Sequence, residues 1–246
     1  MIHYLYDGSF DGLLTAIFYS YSEKAEVHIY KTQLYAPSLL ATSKTIVTEP
    51  DKADRVYTSI HKKLSTSTLE KVYCAYLSEE EEVETLILDY LKLCYRYGDT
   101  INLAKNNDII RGIDLAVKHV RLEAHRYTGF VRFKELRPML FYAPIEPDHY
   151  ILPLLMEHFE KRFSDQCFMI HDIKRSKAIV YNQKDIFIEE LTPDEADALL
   201  QAPIKDPFEN LFKAYYASTT IPERMNIKKR NAFMPRRYFK HLVELH

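Results

Sequence analysis

One helical stripe constrains this chain more than any other feature. Over residues 108–127, Ile110, Ile113, Val117, Val120, Ala124 and Tyr127 recur every three or four positions. At 3.6 residues per turn these side chains fall on one face, which has to be buried. The spacing predicts a long helix closed by Gly129. It also separates two differently patterned parts of the sequence.

Before the stripe, residues 2–6 alternate as a strand does. In residues 11–21, Leu14, Phe18 and Tyr21 recur at helical spacing, as do Leu13 and Ile17, and Val27 to Tyr30 suits a second strand. A strand–helix–strand opening of this kind belongs to an α/β layer. Residues 50–110 read as mostly helical, with the acidic run 79–84 as a solvated helix start. After the stripe, 130–133 and 139–142 suit strands, and Pro147 and Asp148 open a helix running to about Arg162, with Asp148 as its natural N-cap. Pro153 then lies in the first turn or kinks it. Residues 168–173, 178–181 and 185–190 suit three more strands, with a turn at Asn182-Gln183. Thr192 and Glu195 have capping-box spacing. From Pro207 the end is helical and then basic. The expected fold is α+β: residues 1–105 form an α/β and helical part. Residues 106–246 form an antiparallel sheet with helices and a basic C-terminus, and the two could make one compact domain.

Composition excludes several classes. Five glycines in 246 residues, with neither GxGxxG nor GxxxxGK[ST], argue against dinucleotide and P-loop folds. Cys74, Cys94 and Cys167 have no CxxC spacing, so neither a metal site nor an iron–sulfur cluster held by this chain alone is expected. No cofactor is expected. No signal peptide and no bilayer-length apolar run is seen, so the reading is a soluble cytoplasmic protein with no membrane partner.

The charge is uneven. From Leu211 to His246 eight Lys or Arg face two acids, so this stretch carries +6 in a chain whose total is −2. Its aromatics, Tyr215, Tyr216, Phe233, Tyr238 and Phe239, interleave with the cations. Cations release counterions from a phosphate backbone and rings stack on bases, so nucleic acid is the expected partner class. The candidate contacts are Arg224, Asn226, Lys228, Lys229, Arg230, Arg236, Arg237, Tyr238 and Lys240. A solvated helix with a few core aromatics explains the same residues.

"RLEAHRYTGF" places Arg121 and His125 four apart on one helix face, while Glu123 and Arg126 can pair with each other. Glu146, Asp148 and His149 crowd one helix entrance, and His171 and Asp172 end a strand. Histidines with carboxylates suit general acid–base work, so His125, Glu146, Asp148, His149, His171 and Asp172 are candidate catalytic residues. Arg121 and Arg126 are candidates for phosphate. Against this, His171 suits a satisfied core position.

"YDGSFDG" offers a third candidate. Asp7 and Asp11 follow a strand and open a helix, the place where ligands collect in α/β layers. Ser9 or Asp11 can cap the helix, and both glycines ease the turn. Tyr6, Asp7 and Asp11 remain as a possible pocket, with free backbone N–H groups facing a ligand or a partner chain.

Five segments, "YDGSFDGLLTAIFYSY", "RLEAHRYTGFVRFKE", "YAPIEPDHYILPLLMEHFEKRF", "IHDIKRSKAIVY" and "MNIKKRNAFMPRRYFKHLVE", resemble a bacterial family of DNA-metabolism or DNA-repair proteins built on a domain of unknown function. Members are typically encoded beside a radical-SAM protein assigned to DNA modification or repair, and a related domain is fused to uracil-DNA-glycosylase-like domains. The resemblance spans both ends of the chain and is thin over 35–105. It implies DNA as partner and a radical-SAM protein as companion, and it transfers no catalytic residue. Tryptophan stands in the family's "IHD" and "RYxK" segments; here Phe168 and Met169 precede Ile170-His171-Asp172, and Phe239 follows Tyr238. The expected function is nucleic-acid binding in DNA metabolism. The alternatives are a non-catalytic adaptor of the radical-SAM protein and a glycosylase or nuclease using Glu146, Asp148 and the histidines.

Overall fold

The computed structural model describes residues 1–202 and 208–242, apart from the side chains of 208–210 and Arg237. Pro207, the expected start of the terminal helix, lies outside them. The chain forms two compact units, Met1–Arg121 and Leu122–His246, and the division falls within the long helix. The fold is α+β.

In the first unit three parallel strands lie in the order β2-β1-β3: β1 (Ile2–Tyr6), β2 (Val27–Lys31) and β3 (Thr42–Thr45). Helix α1 (Phe10–Ser20) connects β1 to β2 and is capped by Ser9, whose Oγ accepts from Gly12 N. Three helices follow. α2 (Pro50–Lys63) starts on a proline, which costs no helical hydrogen bond in the first turn. α3 (Thr66–Tyr76) is capped by Ser65, and α4 (Val83–Tyr97) ends at Gly98 with φ of 72°. Their apolar faces pack on Tyr4, Ile29 and Ile17, with Cys74 and Cys94 buried as free thiols. The acidic run is not a uniformly solvated face. Glu84 is buried and accepts from the Tyr6 hydroxyl (3.0 Å), with the Lys31 ammonium 3.9 Å away.

The stripe forms α5 (Asp108–Phe130), and Ile110, Ile113, Val117, Val120, Ala124 and Tyr127 are all buried. The helix runs through Gly129 instead of stopping before it. Consequently 130–133 is not a strand, and Phe133 packs from an irregular segment onto Phe159, Phe163 and Phe168.

The second unit holds a five-stranded sheet, ordered β4 (Lys134–Arg137), β5 (Leu140–Ile145), β6 (Cys167–Asp172), β7 (Lys177–Tyr181) and β8 (Ile186–Glu190). Neighbours are antiparallel except β5 and β6, a parallel pair joined through α6 (Leu152–Arg162). Pro153 sits in the first turn of α6, as its ring allows. Asp148 does not cap that helix, which begins four residues later with Ile151 at the cap. α7 (Pro193–Gln201) opens with the Thr192–Glu195 capping box. α8 (Phe208–Thr219), α9 (Ile227–Phe233) and a 3-10 turn, Arg236–His241, are the last elements of the described residues. No helix among the described residues is long and apolar enough to cross a membrane.

Candidate functional site

The carboxyl ends of β5 and β6 lie side by side, with Ile145 opposite Asp172. Such an end of a parallel pair is where an α/β layer offers a crevice. Here it is closed by buried charge. Asp172 is fully buried and accepts from Arg175 Nη1 (2.7 Å) and Lys174 N (3.1 Å). Arg175 Nη2 also donates to the Asp148 carbonyl (2.8 Å), so one guanidinium ties the loop after β6 to the loop after β5. Its planar fork suits two acceptors at once.

Glu123 holds the same loop from α5. Its carboxylate accepts from Asp148 N (3.0 Å), His149 N (2.8 Å) and the Tyr238 hydroxyl (2.7 Å), and it is only 3% exposed. The expected Glu123–Arg126 pair does not form; Arg126 instead reaches the Ala232 carbonyl at 3.5 Å. A buried carboxylate needs such donors because desolvation without them is costly. Glu123 thus joins helix, loop and C-terminal segment.

The candidate catalytic groups separate under this geometry. His171 and Asp172 present no surface. His171 Nδ1 lies 2.8 Å from the Tyr142 hydroxyl and Nε2 has no partner. Burial lowers the His171 pKa and pushes the Tyr142 hydroxyl up to about 12. Glu146 pairs with Lys240 and lies 3.0 Å from His241 Nε2. Although burial alone would raise it, the hydrogen bonds from Lys240 and His241 hold the Glu146 carboxyl below its ordinary value. Burial lowers the His241 imidazole despite that neighbour. His125 and Asp148 are exposed and His149 is half-buried. Of the candidate acid–base groups in the loop after β5, Asp148 and His149 are the adjacent pair that keeps solvent exposure.

The basic segment divides similarly. Tyr238, expected as a stacking surface, is 3% exposed, with its ring edge-on to Tyr127 (5.1 Å) and tilted against Phe130 (5.5 Å). Together with buried Leu242 it anchors the segment, so neither ring face is open to a base. Lys240 is engaged by Glu146, and Arg230 lies over the Phe239 ring. Asn226 caps α9 by accepting from Lys229 N (2.9 Å). Arg121 reaches Glu70 at 3.7 Å. Arg224, Lys228, Lys229 and Arg236 are exposed, with no ion-pair partner among the described residues. The Arg237 side chain lies outside those residues.

In the first unit both oxygens of the Asp7 carboxylate are engaged. It accepts from Ser9 N (2.9 Å), Ser9 Oγ (2.7 Å) and Thr48 Oγ1 (2.7 Å), joining the loops after β1 and β3. Burial alone would raise its pKa, yet these donors leave it lowered. Tyr6 is buried against Glu84, and desolvation carries its hydroxyl far above the ordinary range. Asp11 is exposed in the first turn of α1. The N–H groups of Ser9 and Gly12 are taken by Asp7 and Ser9, so these two are not free for a ligand.

Residues 81–244 match the model of a domain of unknown function, DUF4130. The chain belongs to the DUF4130 family. No curated protein and no solved structure matches it. The DUF4130 match takes in Glu123, Asp172, Arg175, Tyr238 and the basic segment, while Asp7 precedes it.

Proposed function

We propose that this DUF4130 protein binds nucleic acid in DNA metabolism, gripping phosphates with Arg224, Lys228, Lys229 and Arg236. The observation that carries the reading is their exposure without ion partners on a segment fixed by buried Tyr238 and Leu242. Cations already held in ion pairs release fewer counterions on binding, and these four are not so held. Phe233, 67% exposed, ends α9 and supplies a ring for stacking in place of Tyr238. DNA, as against RNA, comes from the family resemblance. Titration of the full chain into fluorescent single- and double-stranded DNA, followed by anisotropy, tests it. Saturable binding that weakens with salt is expected; absence of binding to both forms at low salt refutes it.

The adaptor reading is favoured by a different observation. Leu211, Ile221, Met225 and Ile227 of the same C-terminal region are exposed apolar residues, which suit a protein partner. A radical-SAM companion would then carry the chemistry. Co-elution of the two proteins at micromolar concentration is the expected result, and separate elution counts against it.

A further inference from the structure

The first unit contains a groove lined by residues of its own helices. It lies between the end of α1, one face of α2 and the last turn of α4, and its volume is about 740 Å³. That is within the size range of small-molecule sites, roughly 300–1,000 Å³. Phe18, Tyr21 and Tyr95 supply aromatic walls, and Arg55, Lys62 and Lys63 supply cations. Tyr21 and Tyr95 meet edge to face at 6.0 Å, and the Tyr95 hydroxyl donates to Ser59 Oγ (2.9 Å). Tyr21 is still 51% exposed, so it presents ring surface to the groove.

Among the described residues Arg55, Lys62 and Lys63 form no ion pair, although Asp54 lines the same groove. Arg55 instead lies over the Phe18 ring at 4.9 Å, with Lys52 over it at 5.0 Å. Lys62 and Lys63 in the last turn of α2 suit the helix dipole, but Arg55 stands mid-helix, where the dipole gives no such reason. Stackable rings beside cations that form no ion pair are complementary to a planar base carrying phosphate.

We infer that this groove binds a nucleoside phosphate, with the base against Tyr21 and Tyr95 and the phosphate at Arg55, Lys62 and Lys63. The same chemistry is offered by a free nucleotide and by the 5′-phosphorylated end of a single strand. This inference uses no residue of the C-terminal segment, so it stands or falls separately from the function proposed above.

Calorimetry with the full chain tests it, using ADP, adenosine, pyrophosphate, and a hexadeoxyadenylate with and without a 5′-phosphate. The expected result is ADP binding at micromolar to low-millimolar Kd, with adenosine and pyrophosphate each at least about tenfold weaker. Preference for the 5′-phosphorylated hexamer over ADP identifies a strand end; the reverse identifies a free nucleotide. The double change R55E and K62E, at exposed positions, should abolish phosphate-dependent binding while the circular dichroism spectrum stays unchanged, and Y21A should weaken ADP at least about tenfold. No heat with ADP or the phosphorylated hexamer up to several millimolar overturns the inference. So does binding that survives R55E and K62E together.

Discussion

Removing the Glu123 carboxylate should release the loop after β5 and the C-terminal segment together. In Glu123→Ala, three donors lose their acceptor: Asp148 N, His149 N and the Tyr238 hydroxyl. The Tyr238 hydroxyl is buried, and a buried donor left unsatisfied costs about 1–3 kcal/mol; the two part-buried backbone bonds add about 0.5–1.5 kcal/mol each, about 2–6 kcal/mol in all. Water can reach the Asp148 and His149 N–H groups more readily than the Tyr238 hydroxyl, so the hydroxyl carries the largest single loss. Domain stabilities are only about 5–15 kcal/mol, so the variant should be severely weakened or unfolded in its second unit. Glu123→Gln keeps one acceptor oxygen but turns an amide donor towards other donors, and a smaller loss of about 1–3 kcal/mol is expected. Tyr238→Phe keeps the packing on Tyr127 and Phe130 and should lose about 1.5–3 kcal/mol, the range for a hydrogen bond to a charged group. Urea unfolding measures these losses, and amide exchange at 148 and 149 locates them. If Glu123→Ala changed stability by under about 0.5 kcal/mol and left both amides protected, Glu123 would not join helix, loop and C-terminal segment as described.

Other positions give sharper local tests. A Cβ on Gly12 would lie 2.2 Å from Asp7 Oδ1 and 2.9 Å from Thr48 Oγ1. Gly12→Ala should therefore cost about 1–3 kcal/mol as an overpacking change, and adding Asp7→Ala should recover part of the clash energy in thermal unfolding. The buried His171 has a folded pKa below its ordinary 6.5. Its contribution is present in full above pH 6.5 and is lost as pH falls below that value, because the unfolded chain takes up the proton first. His171→Leu should flatten this part of the stability–pH curve between pH 7 and 5. The Glu146 carboxyl is also depressed, from an ordinary 4.5. Its hold on Lys240 and His241 is present above pH 4.5 and weakens as pH falls through the folded pKa, which exchange at residues 236–242 should report.

Local chemistry was readable from sequence, and distant chemistry was not. The α5 stripe, the Thr192–Glu195 box, the Ser9 cap option and Pro153 in a first turn all depend on neighbours within a few residues. Strand β3 carries no sequence signature, because Thr42–Thr45 is exposed throughout and has no apolar alternation. Phe130–Phe133 suggested a strand because its rings are apolar, yet α5 tolerates Gly129 and continues to Phe130. Asp148 had the right neighbours for a helix cap, but Glu123, 25 residues earlier, claims its backbone N–H. Nothing within a helical turn of Glu123 signals that role. Tyr238 had the composition of a nucleic-acid contact, and its burial depends on Tyr127 and Phe130 over a hundred residues away. The role of Arg175 has no local signature, because its partners, Asp172 and the Asp148 carbonyl, meet only once β5 and β6 pair in parallel.

The most direct test of the proposed function is the salt dependence of DNA affinity, measured for the natural chain and for a variant with Arg224, Lys228, Lys229 and Arg236 all changed to Ala. Each phosphate neutralised contributes about −0.9 to the slope of log K against log salt on duplex DNA, and about −0.7 on single strands. Four lost contacts should make the slope shallower by about 3 and weaken binding at low salt. An unchanged slope and affinity in a folded variant would contradict the account and return the segment to a protein-docking role.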